Sequence, residues 1–439
     1  MTTFQTILLA VFGLLILIGV LIFAGYGPGG NSGNAPAAQL SLWGTLDSNA
    51  ITQVVQKWND GNPSIGVITY SQHDPATFER ELLNALATGH GPDMVLLSNQ
   101  LLATEADKLL LMPYSQISAR TYLDTYVDGT SLFATNKGIL AMPLVGDPLV
   151  LYWNKDLFAS ANVATPPAYW DEVLTLAPKL TIKDAKGNII QSAIALGGYR
   201  NVNNAKDLLV TLFSQVGDPI ANLVSTDSGS SVSVVLGNTT AGELSPAESA
   251  LRFFTQFANP SEAAYSWNRG LGNSHDQFLA GKLALYVGYA HEFDDIRKQN
   301  PHLSFDVTTV PTIRPSQTVT RNTNVGGSML AIATLAQSHS PANALEAEFI
   351  LSTQPGVAAF SQVLGLPPLR RDLLGDVKEN PFATVFNRAT LSLHSWFDSS
   401  PAQSDLIFRD MVESVLSGAA GVRSAIDTAH AALQALATQ

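Results

Sequence analysis

The stretch PLVGDPLVLYWNKDLF, Pro143 to Phe158, begins as an apolar strand and ends as a polar turn entering a helix. A buried strand has no use for a carboxylate, so Asp147 is the first residue to ask a chemical question of. Ionised, it accepts two or more hydrogen bonds; in a VGDP turn at the surface it need do nothing. Tyr152 and Trp153 follow on the same run and point to opposite faces, so one can line a cleft while the other packs in a core. Trp43 and Asp47 stand where a first strand ends and a helix begins. Asp47 there either accepts hydrogen bonds from ligand hydroxyls or caps the helix, while Trp43, beyond the strand end, is expected to line a cleft. Trp267 in YSWNRG and Trp396 in LHSWFDSS lie in irregular polar stretches. Aromatics in such places stack on the apolar C–H face of a sugar ring or pack a loop. Gly326 and Gly327 either let the backbone approach a ligand closely or form a simple bend.

Patterns for bond-breaking chemistry are missing. The eight histidines are scattered without an H-E-x-x-H or comparable metal-binding spacing, and there is no G-x-S-x-G elbow. GPGGNSG lacks the lysine of a phosphate loop. HEFDD, His291 to Asp295, is explained by a solvated acidic helix face as readily as by a site. No enzyme, metal or cofactor is expected.

These side chains must be held by a large scaffold. The chain has 439 residues, enough for two full-sized domains, and is 46% hydrophobic and 14% charged, a globular composition. Its formal net charge of −12 argues against nucleic acid or anionic lipid as a partner, since either needs a basic face. With no cysteine there is no disulfide, thiolate metal site or lipid-modified cysteine anchor. Ile7 to Gly27 carries no charge and is about the 20 residues a helix needs to cross a bilayer. Its length favours an uncleaved signal anchor over residues 1–26, with cleavage after Ala24 as the alternative. Residues 27–39 form a flexible Gly/Asn/Pro/Ala linker, and the large domain beyond is expected outside the cytoplasm.

From Leu40 the pattern alternates strand and helix: LSLWG, SNAITQVVQKWND, SIGVITY, DPATFERELLNALATG, PDMVLLS. This βαβαβ opening predicts a largely parallel sheet, with ligands beyond the strands' carboxyl ends. Further α/β segments follow Pro143, including a Gly/Ser-rich surface loop or hairpin at LVSTDSGSSVSVVLGNTT, and the chain closes in helices.

Four segments in this order resemble the extracellular solute-binding proteins of ABC importers, in the subgroup that includes maltose-binding protein. They are the opening unit through LLNALATGHGPDMVLLS, then PLVGDPLVLYWNKDLF…ATPPAYWDEV, then FLAGKLALYVGYAHEF, and finally SFDVTTVPT with VGGSMLAIA. The resemblance implies two α/β lobes closing like a clam-shell on a small solute, which an ABC permease then receives. It implies hinge strands at Leu140–Trp153 and Leu283–Tyr289. Lobe one would be residues 40–145 plus 290–335, and lobe two residues 146–289 plus 336–439. It places Asp147 where the family contacts sugar hydroxyls, Ser98, Asn99 and Gln100 where it supplies polar side chains, and Tyr289 beside the ligand. Ser98 and Asn99 are equally well explained as turn residues. Tyr199 joins the candidates, and Arg200 after it could serve a carboxylate. A carbohydrate is the expected solute. The rivals are a polyamine, peptide or other small solute in the same fold, a sensor without a transporter, and a surface enzyme.

Overall fold

The computed structural model describes residues 38–226, 229–238, 245–315, 322–375, 377 and 380–438. The anchor expected over residues 1–26, and the linker as far as residue 37, lie outside the described residues. Among the described residues no helix is long and apolar enough to cross a membrane.

The strands, in chain order, are β1 (Gln39–Gly44), β2 (Val67–Gln72), β3 (Met94–Ser98), β4 (Met142–Asn154), β5 (Ile182–Lys183), β6 (Ile189–Ile194), β7 (Ala221–Thr226), β8 (Gly229–Val234), β9 (Leu283–Tyr289), β10 (Phe305–Thr309) and β11 (Gly327–Thr334). The opening βαβαβ pattern forms as its periodicity predicts. In β1 the alternate residues Leu40, Leu42 and Gly44 are buried, whereas Met94 to Leu97 of β3 are buried on both faces, as a central strand requires. Helix Ser48–Gly61 buries Ile51, Val54, Val55 and Trp58, the stripe expected of one helix face. The Gly/Ser-rich stretch is a hairpin, β7 against β8.

The strand order is β2-β1-β3-β11-β4-β9-β6-β5, with β10 also on β4. The thirteen-residue β4 joins two halves. Its first part, Met142–Pro148, pairs with β11, and its second, Leu149–Trp153, pairs with β9. The hydrophobic core divides at the same place. Leu144 and Val145 belong to a first core built on β1, β2, β3 and β11; Leu149 to Tyr152 belong to a second built on β6, β9 and β10. The crossing lies at Gly146–Pro148.

This packing differs from the expected division in two respects. Phe293, Ile296, Val307 and Val310 lie in the second core, because β10 pairs with the distal half of β4. Ala344, Ala347, Leu351, Val357 and Phe360 lie in the first, because the helices Pro341–Leu351 and Gln354–Leu364 cover β11 and its neighbours. Only the later helices, Pro381–Leu391, Pro401–Leu416 and Val422–Ala437, return to the second core. Nor is β9 a crossing strand: Leu283 to Val287 are buried wholly within the second core. The second crossing is Val325–Gly327, between a second-core valine and β11, and a parallel bridge joins Val325 to Leu393.

Candidate functional site

Between the two cores lies a cavity of about 690 Å³. Gln100 reaches it from the first lobe, at the start of the helix that follows β3. The second lobe supplies Tyr199, Arg200 and Asn204 from the loop after β6, Lys206 and Asp207 from the first turn of helix Ala205–Gln215, and Asp405 and Arg409 from helix Pro401–Leu416. Asn204 takes a left-handed conformation, φ 57°, which asparagine tolerates better than most residues and which turns the loop into the helix. Asp405, Arg409 and Glu413 recur at intervals of four and so share one helix face. The Tyr199 hydroxyl donates to Asp405 at 2.6 Å, and Arg200 lies 3.5 Å from Glu413, docking the loop along that face.

Lys206 is neutralised within the cavity wall. Its ammonium donates to Asp398 at 2.5 Å, Ser404 Oγ at 2.6 Å and the Pro401 carbonyl at 3.2 Å, which uses all three of its protons. Asp207 accepts from the Tyr289 hydroxyl. Burial pushes its carboxyl above the usual range, opposed by that hydrogen bond and by Lys206. Burial also raises the Tyr199 phenol, with Asp405 acting in the same direction. At the crossing, the Asp147 carboxylate accepts from the His291 backbone N–H at 3.1 Å and meets its Nδ1 at 2.6 Å. That hydrogen bond raises the imidazole above its ordinary value, against the opposing effect of burial. The cavity therefore offers side-chain amides and guanidinium groups as donors beside carboxylates as acceptors. Hydroxyl groups, which both donate and accept, fit such a mixture.

Residues 53–384 match the family described as bacterial extracellular solute-binding protein. The chain belongs to that family. Its large domain is thus that of an extracytoplasmic binding protein. No curated protein matches the chain in sequence. Solved structures share the fold at low identity. One is a cyclic alpha-maltosyl-1,6-maltose binding protein from Arthrobacter globiformis, TM-score 0.73, 17% identical, covering 91% of this chain and 99% of that one. A second is a cyclo/maltodextrin-binding protein complexed with maltotetraose, TM-score 0.70, 17% identical, covering 92% and 98%. A third is an ABC substrate-binding protein from Listeria monocytogenes in complex with cycloalternan, TM-score 0.65, 16% identical, covering 91% and 98%.

In this solute-binding protein, Gln100, Tyr199 and Arg200 are the residues singled out in the sequence that line the inter-lobe cavity. Asp147 and Tyr289 stand beside it, at the hinge and behind Asp207. Several others serve the fold. Asp47 is exposed and caps its helix, accepting from Ala50 N–H at 3.0 Å. Ser98 is the half-buried residue before the next helix, and Asn99 is buried, donating to Ser395 Oγ at 2.7 Å and accepting from Met329 N–H at 2.8 Å. Tyr152 is fully buried, its hydroxyl donating to the Tyr289 carbonyl at 2.7 Å, while half-buried Trp153 packs edge-on against Phe158. Neither lines the cavity. Trp267 is fully buried, with its indole N–H on Asn201, and Trp396 packs on Phe408 beneath Lys206. Trp43 lies within β1, half-buried, its ring 4.1 Å from that of His73. The glycine pair admits protein backbone: a Cβ at Gly326 would fall 2.5 Å from the Asp207 carbonyl oxygen, and one at Gly327 would fall 2.5 Å from that of Asp147.

The residues missed from the sequence are Asn204, Lys206, Asp207, Asp405 and Arg409. Two signals were available: the asparagine-rich loop YRNVNN ending at a helix start, and the four-residue spacing of charges in the C-terminal helix.

Proposed function

We propose that the protein captures a neutral, hydroxyl-rich solute, a sugar or oligosaccharide, in the inter-lobe cavity and delivers it to an ABC permease. The observation that carries this reading is the cavity between the lobes, with Gln100 on one side and a mixed set of donors and acceptors on the other. The sugars bound by structures of the same fold support it. Solute contacts made to both lobes at once would favour the closed arrangement over the open one. The guanidinium groups of Arg200 and Arg409 in the cavity lining disfavour a polyamine, whose ammonium groups they would repel. The charge-free segment Ile7 to Gly27 supports an uncleaved membrane anchor, and no chemical step is assigned to any residue.

Thermal unfolding of the full-length protein in mild detergent tests the reading, because a ligand of the native state raises the midpoint. Maltotetraose, mannobiose or α-D-tagatose is expected to raise it, and spermidine is not. A shift with spermidine and none with any sugar would overturn the carbohydrate assignment. Release of the protein from membranes by alkaline carbonate would overturn the anchor.

A further inference from the structure

A continuous chain of contacts runs from the cavity to the hinge strand. Asp207 lines the cavity and accepts a hydrogen bond from the Tyr289 hydroxyl. The Tyr289 ring lies against that of His291, with centroids 5.7 Å apart and planes 23° from parallel. His291 in turn meets the Asp147 carboxylate through both its backbone N–H and its ring Nδ1. Asp147 belongs to the Gly146–Pro148 crossing of β4. Glu292 fixes the same corner, accepting from Tyr289 N–H at 2.8 Å, the Tyr286 hydroxyl at 2.5 Å and the side-chain amide of the cavity residue Asn204 at 3.2 Å.

We propose that Tyr289 and His291 are positioning residues that couple a solute on Asp207 to the Asp147 hinge crossing, so that solute affinity follows the protonation state of His291. This inference rests on the inter-lobe cavity being the solute site. The charged and titratable groups facing His291 are Asp147 from β4, Glu292 and Asp295 from its own helix, and Tyr289 from β9, with Asp207 behind the tyrosine. Asp147, Glu292 and Asp295 all favour the imidazolium. The protonated ring makes a charged pair with Asp147 and holds the crossing in the arrangement where both lobes line the cavity. Affinity is therefore highest below the elevated His291 pKa and falls as pH rises through it. The pair is half exposed at His291, so the change is about two- to fivefold. By reciprocity, bound solute raises the His291 titration midpoint by the same factor.

The test is proton NMR titration of the His291 ring in the full-length protein, assigned by loss of its signal in H291Q. Without any ligand, Y289F changes no charge at neutral pH but breaks the contact to Asp207. It is expected to move the His291 midpoint, as is D207N. An unchanged midpoint in both variants overturns the coupling. With maltotetraose as probe, wild-type affinity should fall about two- to fivefold from pH 6 to pH 9 and that of H291Q should stay flat. Equal pH slopes in the two overturn the coupling while leaving the solute site standing. If no sugar binds at all, the functional reading fails, and the ligand-free titration still decides the coupling.

Discussion

Glu348 offers a pH dependence whose sign and size follow from its surroundings. It is fully buried in helix Pro341–Leu351 against β11. Its Oε2 accepts from the Thr334 N–H at 2.9 Å and the Thr334 hydroxyl at 2.7 Å, while Oε1 makes no hydrogen bond of good geometry among the described residues. Burial pushes its carboxyl up to about 8, against the lowering effect of those hydrogen bonds. The folded protein thus holds a proton that the unfolded chain releases near pH 4.5. Stability from this group is fully present below that pH, declines as pH rises toward 8, and is level above it. At about 1.4 kcal/mol per pH unit the loss is on the order of 3 kcal/mol by pH 7 and about 5 kcal/mol across the whole window. Glu348→Gln keeps an acceptor for Thr334 and removes the ionisation. Guanidinium unfolding midpoints at pH 5 and pH 8.5 provide the assay. The variant should be near wild type at pH 5 and more stable by several kcal/mol at pH 8.5. Parallel loss of stability in both proteins would refute the argument, because the carboxylate would then be ionising without cost.

Three other substitutions separate packing from ligand contact. Gly327→Ala places a methyl against the Asp147 carbonyl oxygen and 2.9 Å from Pro148 Cα; the resulting displacement of the crossing should cost about 1–3 kcal/mol in chemical denaturation. Asp218→Ala strips the shared acceptor from Gly237 N–H, Ser245 Oγ and Ala247 N–H, and should cost roughly 1–3 kcal/mol by the same measurement. Trp267→Phe loses the bond to Asn201 and some packing, so its unfolding midpoint should fall by about 1–3 kcal/mol in stability. Calorimetry with maltotetraose should give that variant an unchanged affinity.

The elements were legible because burial imposes a period. Leu40 and Leu42 at strand spacing, and Ile51, Val54, Val55 and Trp58 at helix spacing, announce both the structure and the buried face. The β4 crossing was expected from the family resemblance, and the carboxylate interrupting an apolar strand was the residue that drew attention to it. Which core each later segment joins was not legible. The helices Glu292–Gln299 and Gln354–Leu364 have ordinary amphipathic patterns and Pro341–Leu351 has almost none, so nothing in a local period says which of two cores receives the apolar face. That choice is made by long-range packing, β10 on β4, helix Pro341–Leu351 over β11 and helix Gln354–Leu364 over β4.

The tryptophans of the irregular segments lie in the interior for a physical reason. An indole in an irregular segment suits a sugar face because it is large, flat and apolar, and those same properties make it the best filler for the interior of that segment. Trp267 and Trp396 took the interior. Polar residues carry the opposite signal. In the loop Tyr199 to Asn204, beyond a strand's carboxyl end, Tyr199, Arg200 and Asn204 line the cavity, while Asn201 and Asn203 hold the loop in place through Trp267 and Ser274. Asp147 combines both lessons. Its place on the hinge strand is what the resemblance implies, and its carboxylate is engaged by His291 rather than left open. The family resemblance expects Asp147 to contact sugar hydroxyls; in the structure it pairs with His291 at the β4 crossing, and Asp207 and Asp405 line the cavity.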